Sequence, residues 1–236
     1  MLIAGLQKLT MLDYPGKFAC CVFLQGCNYR CPFCHNSDLL GAQALTPIAE
    51  DEFFSFLQDR KQKNILEGVC VSGGEPTLQS DLPDFLRKIK DMGFCVKLDS
   101  NGTNPDMLKT LAKEGLIDYV AMDIKNSPER YALTAGLEKV DLEAIEESIR
   151  FLTSGVIDYE FRTTVVEPLH DAQSIEDMAG WLNTLMQGRK VTRFYIQPFA
   201  DRDTVLFSGL SAPSKDTMDG FCRVLTPYTS YVSIRG

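Results

Sequence analysis

Short runs rich in β-branched and aromatic residues recur along the chain at 19–24, 68–72, 94–99, 118–123, 159–166, 192–197 and 231–234. Turn residues bound each run, which predicts seven strands. Segments of helical period lie between them. Leu82, Phe85, Leu86 and Ile89 repeat at i, i+3, i+4, i+7, with Asp81 placed as N-cap and Gly93 just past the end. Asn104-Pro105 opens a helix that puts Leu108 and Leu111 on one face and stops at Gly115. Asp141 caps another, with Leu142, Ile145, Ile149 and Leu152 on one side and Glu143 and Glu147 on the other. A first helix is expected from Thr46-Pro47, and the last two over 172–186 and 213–225. Residues 1–17 read as a short N-terminal extension of a single domain spanning 1–236, with its core over 18–236. Strands alternating with helices and no linker-like stretch predict parallel α/β architecture. The crossovers allow a closed or partly open (β/α) barrel or a doubly wound sheet, and in either the functional loops follow the C-terminal strand ends.

Composition narrows the partners. With 24 Lys+Arg against 32 Asp+Glu, the net charge of −8 disfavours nucleic acid and membrane surfaces, which reward a basic face. No uncharged apolar run approaches the ~18 residues of a membrane span, and no continuous signal-peptide core opens the chain. A cytoplasmic protein is expected, and there eight cysteines need a reason other than disulfides. Cys20, Cys21, Cys70, Cys95 and Cys222 are scattered and read as small buried hydrophobes. The other three lie within eight residues.

The chemically loaded residues do gather after strands. Gln25 to Asn36 follows the first strand and Ser72-Gly73-Gly74-Glu75-Pro76-Thr77 the second. Asp99-Ser100-Asn101-Gly102 ends the third and Asp123-Ile124-Lys125 the fourth. Arg162 lies in the fifth, and Gln197-Pro198-Phe199 ends the sixth. Cys27, Cys31 and Cys34 have C-x₃-C-x₂-C spacing, and soft sulfur donors select zinc or iron–sulfur species. Structural zinc takes four ligands, and His35 is awkwardly placed to be the fourth because it adjoins Cys34. A [4Fe–4S] cluster on three cysteines leaves one iron open to a small molecule.

Cys27-x₃-Cys31-x-Phe33-Cys34, followed after the next strand by Gly73-Gly74-Glu75-Pro76, resembles the paired motifs of the radical S-adenosylmethionine (SAM) enzymes. The resemblance implies a partial (β/α)6-type TIM-like barrel of parallel strands, a [4Fe–4S] cluster on the three cysteines, and S-adenosyl-L-methionine chelating the fourth iron. Reduction would then release a hydrogen-abstracting 5′-deoxyadenosyl radical, chemistry that belongs to the cofactor while the protein binds and orients it. Within that frame Gly73 and Gly74 are expected to approach the methionine ammonium, with Glu75 and Pro76 supporting the loop. Lys125 or Arg162 offsets the carboxylate, and Asp99, Ser100, Asn101 and Asp123 offer acceptors to the ribose or ammonium. Phe33 is expected to pack near the adenine and Gln197 to approach it, and His35 is expected among the cofactor contacts.

Residues 6–17, together with Phe23-Leu24-Gln25-Gly26-Cys27-Asn28, resemble the glycyl-radical-enzyme activases, most closely the subgroup that activates anaerobic ribonucleoside-triphosphate reductase. That implies hydrogen abstraction from a glycine of a partner enzyme. One departure is that Pro198-Phe199 is followed by Ala200, where pyruvate formate-lyase-type activases carry His. No cysteine-rich insertion lies between Cys34 and Gly73, so flavodoxin or ferredoxin is expected as external electron donor. The alternatives are a radical SAM enzyme acting on a peptide, nucleoside or other small substrate, and a zinc-stabilised binding domain. His170 is expected in a surface loop.

Overall fold

The structure, a computed structural model, describes residues 1–40, 47–205 and 207–235. It divides into two compact units. One comprises Met1–Asn28, Asp38–Ser100 and Asn104–Val120, and the other Tyr29–Ser37, Asn101–Thr103 and Ala121–Gly236.

In the first unit β1 (Ile3–Thr10) pairs antiparallel with β2 (Ala19–Leu24), which pairs parallel with β3 (Gly68–Gly73), and β3 with β4 (Cys95–Ser100). Helices α1 (Glu50–Gln62), α2 (Leu82–Asp91) and α3 (Pro105–Lys113) alternate with the strands. Phe53 of α1 stacks on Phe85 of α2 at 5.5 Å between centroids, both rings buried. The register Cys21↔Cys70 and Cys70↔Lys97 places these three side chains on one face.

Two expectations shift here. The start expected at Thr46 lies outside the described residues. Helix α1 begins only at Glu50 because the Ile48 N–H is already donated to the Ile3 carbonyl at 2.9 Å, which pins the preceding backbone to β1. Asp81 stands at the N-cap of α2, but its carboxylate pairs with the Met1 amine at 3.0 Å instead of capping the helix. Asn104 and Asp141 do cap, accepting from the N–H groups of Met107 and Ala144 at 3.2 Å each.

The second unit holds the end of β5 (Tyr119–Asp123), then α4 (Pro128–Ala135), α5 (Leu142–Leu152), β6 (Asp158–Val165), α6 (Ala172–Leu185), β7 (Phe194–Pro198), α7 (Lys215–Leu225) and β8 (Val232–Ile234). Strands β6, β7 and β8 are parallel in that order, and the Ile124 N–H donates to the Arg162 carbonyl at 2.8 Å beside them. Trp181 of α6 meets the ring of Tyr131 on α4 edge-on and donates its indole N–H to Glu146 of α5 at 3.0 Å. Cys20, Cys21 and Cys70 are buried as expected, whereas Cys95 and Cys222 are only half-buried. Among the described residues, no helix is long and apolar enough to cross a membrane.

His170 is not the surface residue expected. It is buried, with Nε2 donating to the Lys125 carbonyl at 2.8 Å and Nδ1 accepting from the Val166 N–H at 3.2 Å. Burial lowers its pKa below the ordinary 6.5. Because the unfolded chain binds the proton more readily, this residue's contribution is complete above that value and falls as the pH drops through it. His170→Phe is expected to cost about 1–3 kcal/mol at pH 7.5, from the two lost hydrogen bonds. It should also flatten the loss of stability between pH 7 and 5, as read by urea unfolding at each pH.

Candidate active site

The loop after β2 carries the three clustered cysteines, Cys27 with the first unit and Cys31 and Cys34 with the second. On the Cys27 side the backbone is held at several points. The Gly26 N–H donates to Leu39 O at 2.8 Å, the Gly26 carbonyl accepts from the Glu75 N–H at 2.7 Å, and the Gln25 carbonyl accepts from Gln79 Nε2 at 2.8 Å. The two glycines after β3 make this possible. A Cβ on Gly74 would lie 1.9 Å from the Gly26 oxygen, and one on Gly73 would lie 2.3 Å from Leu24 N. Gly73 thus packs against the end of β2 and Gly74 against the start of the cysteine-bearing loop.

Glu75 is buried and accepts from the Thr77 N–H at 3.1 Å and from Ser100 Oγ at 2.9 Å. These bonds tie the loop after β3 to Ser100 at the end of β4. Pro76 opens a short 3₁₀ turn, Pro76–Leu78, and is buried. At the end of β4, Asp99 pairs with buried Lys97 and accepts from Ser72 Oγ at 3.0 Å.

In the second unit the C-terminus of α4 grips the same loop further on. The Arg30 N–H donates to Ala135 O at 2.9 Å, and Gly136 packs so tightly that a Cβ would lie 1.9 Å from Arg30 O. The Cys34 N–H donates to Cys31 O at 3.1 Å, so these two cysteines sit on one turn. Cys31 and Phe33 are buried, and Cys34 is half-buried. His35 rests against the Phe199 ring at 5.7 Å between centroids, and its carbonyl accepts from Thr204 Oγ1 at 2.7 Å. Burial lowers the His35 pKa, opposed by a hydrogen bond to the backbone of Ala200. Its Nε2 is buried with no hydrogen-bond partner among the described residues.

Asp123, Lys125 and Arg162 form one cluster. Asp123 accepts from Arg162 Nε at 2.9 Å and from Lys125 Nζ at 3.0 Å. Burial pushes the Asp123 carboxyl up, but the charges of Arg162 and Lys125 outweigh it and bring the pKa down to about 2. Burial likewise opposes the charge on Lys125, yet Asp123 and then Cys31 raise its pKa above the ordinary lysine range. Two cations thus flank one carboxylate at a strand end. The Asn101 side chain accepts from the Thr103 N–H at 3.0 Å and its hydroxyl at 2.7 Å, forming a turn. Gln197 lies half-buried near the end of β7.

Sequence reasoning missed three contributors. His170 holds the Lys125 backbone, Thr204 holds His35, and Lys97 holds Asp99. Their partners at Lys125 and His35 lie 45 and 169 residues away, beyond any local pattern. Lys97 did carry a signal, as a charge set between the buried apolar residues Val96 and Leu98.

Residues 21–185 match the model of the radical SAM superfamily, and the chain belongs to that family. It is 32% identical over 247 aligned residues to a candidate glycyl-radical-enzyme-activating enzyme of Methanocaldococcus jannaschii, covering 99% of this chain and 95% of that one. It is 29% identical to the pyruvate formate-lyase-activating enzyme of Streptococcus mutans, covering 84% of this chain and 77% of that one. Among solved structures it superposes on coproporphyrinogen III oxidase of Escherichia coli, described as a radical SAM enzyme. The TM-score is 0.60 at 14% identity, over 86% of this chain and 51% of that chain. The fold agrees with the α/β, partial-barrel class expected. The chain is a radical SAM enzyme, and the family's cofactors are a [4Fe–4S] cluster and S-adenosylmethionine.

The residues fit that pair of groups. Three thiols on one loop suit a cluster with one iron left open. Among the described residues no three His, Cys, Asp or Glu side chains converge on a point for one metal ion, and thiolates on separate irons require no such point. The buried Nε2 of His35 and the doubly cationic Asp123 cluster are the polar features a charged nucleotide would satisfy.

Proposed function

We propose that this protein activates a glycyl radical enzyme by removing a hydrogen atom from a glycine Cα of that partner, and that the partner is the anaerobic ribonucleotide reductase. The observation that carries the reading is the 32% identity to an activating enzyme along 99% of the chain. The subgroup motif over residues 6–17 favours the reductase over pyruvate formate-lyase, as does Ala200 in place of His. The whole chain is taken as one radical SAM domain of the cytoplasm, reduced by flavodoxin or ferredoxin.

In this reading Cys27, Cys31 and Cys34 would hold the [4Fe–4S] cluster, leaving one of its irons for S-adenosylmethionine. Bound there, the two groups supply the one-electron chemistry for hydrogen abstraction. The protein's work is to bind and orient. Lys125 and Arg162, both paired with Asp123, attract the methionine carboxylate. Asp99 offers its carboxylate to the ribose hydroxyls or the ammonium. Phe33 and Gln197 line the adenine, and His35 meets it with Nε2. Gly73, Gly74, Glu75, Pro76, Ser100 and Asn101 shape the backbone around these contacts.

The test is anaerobic incubation of the reconstituted protein with reductant, S-adenosylmethionine and the reductase. A glycyl-radical doublet in the EPR spectrum is expected. A doublet only with pyruvate formate-lyase overturns the choice of partner. Products formed from a peptide or nucleoside, with no doublet on any glycyl radical enzyme, overturn the activase reading.

A further inference from the structure

Beneath Asp99 the first unit holds a buried lysine to which no role has been assigned. Lys97 has a fully buried side chain, and its ammonium is ion-paired with Asp99 two residues on along the same face of β4. Cys70 Sγ lies 3.8 Å from the ammonium. A buried ammonium is costly without a paired anion, so this arrangement commits Lys97 to one carboxylate oxygen of Asp99. Ser72 donates to the other oxygen at 3.0 Å. Asp99 itself keeps 13% of its side chain exposed at the strand end. Both oxygens are thus held from within the unit, and the side chain remains partly exposed at the strand end.

We propose that Lys97 is a positioning residue, forming with Ser72 a two-point clamp that fixes the rotamer and charge of Asp99 toward S-adenosylmethionine. Each carboxylate oxygen accepts more than one hydrogen bond, so a clamped Asp99 retains acceptor capacity for the cofactor. Held from both sides, it meets the cofactor without first losing rotational freedom. The pair is also neutral overall, which suits it to hydroxyl donors, whereas the cationic cluster around Asp123 suits a carboxylate. The inference rests on the reading of Asp99 as a cofactor contact.

The experiment is a double-mutant cycle on the cluster-reconstituted enzyme, reading the dissociation constant of S-adenosylmethionine by anaerobic calorimetry and the thermal midpoint of each variant. Lys97→Met and Asp99→Asn are each expected to weaken binding about tenfold. The double variant is expected to bind no more weakly than Asp99→Asn alone, while its thermal midpoint recovers above that of Lys97→Met because no unpaired carboxylate remains. Ser72→Ala, a small change that keeps the ion pair, should weaken binding severalfold and also lose its effect in the Asp99→Asn background. Additive losses of affinity would show that Lys97 and Ser72 act on general structure, and unchanged affinity in Ser72→Ala and Lys97→Met would overturn the clamp. An Asp99→Asn variant that binds normally would instead refute Asp99 as a cofactor contact, a failure distinct from that of the clamp.

Discussion

Replacing Gly74 with alanine is expected to abolish cluster assembly while leaving a folded chain. The new Cβ would lie 1.9 Å from the Gly26 oxygen, 2.5 Å from its carbon and 3.1 Å from Cys27 N. All of these are backbone atoms, so no side chain can swing away to relieve the contact. The neighbouring hydrogen bonds from the Gly74 N–H to Leu24 O, at 3.0 Å, and from the Glu75 N–H to Gly26 O, at 2.7 Å, resist separation of the two strands of backbone. Overpacking of this kind costs about 1–3 kcal/mol, and relief must come from moving Gly26 and Cys27. A displaced Cys27 removes one of three sulfur donors. Iron and sulfide after anaerobic reconstitution should fall to the background of a Cys27→Ala variant, with far-UV circular dichroism unchanged. Gly180 on α6 is the control. Its added Cβ would meet nothing within 4 Å, so Gly180→Ala should assemble the cluster normally and gain about 0.5–1 kcal/mol from helix propensity.

The second large effect is expected at Lys125. Lys125→Met removes the ammonium bonded to Asp123 at 3.0 Å and leaves Arg162, at 2.9 Å, to balance that carboxylate alone. The cluster then carries one cation against one anion, and its attraction for the methionine carboxylate is largely cancelled. Loss of a charge-assisted bond is worth about 1.5–3 kcal/mol, so the dissociation constant for S-adenosylmethionine should rise roughly 10- to 100-fold. Iron content should stay normal. The Asp123 carboxyl, depressed to about 2, contributes its full stabilisation above its ordinary pKa and loses it only as the pH falls from there to about 2. The wild-type affinity should therefore show no Asp123-dependent step between pH 5 and 8, and a titration of binding over that range checks it.

The parallel strands were legible because each is a short run rich in β-branched and aromatic residues bounded by turn residues, and β2 falls on the expected residues. Strand β1 was not, since Gln7, Lys8 and Leu9 are exposed and it pairs within its unit as an antiparallel edge, which leaves no apolar run to see. Helix α4 was missed although Ser127-Pro128 and Gly136 flag its two ends. Its eight residues are too few to display a face. The cysteine and glycine motifs were legible as local spacings. What sequence could not supply was orientation. Asp123, Lys125 and Arg162 were each named as cofactor contacts, but their joining in one cluster depends on Arg162, on another strand 39 residues on from Asp123. That His170 is buried and bonded to the Lys125 carbonyl depends on a loop closing over β5, which no local pattern encodes.

The central claim is a cluster on Cys27, Cys31 and Cys34 with one iron left for S-adenosylmethionine. The direct measurement is the EPR spectrum of the reduced, reconstituted protein before and after addition of S-adenosylmethionine labelled with ¹⁷O in its carboxylate. The account predicts a [4Fe–4S]⁺ signal that shifts on addition and acquires coupling to the labelled oxygen, and that is lost in a variant lacking any one of the three cysteines. A protein that binds one zinc ion instead, or a cluster signal indifferent to the cofactor, would contradict it.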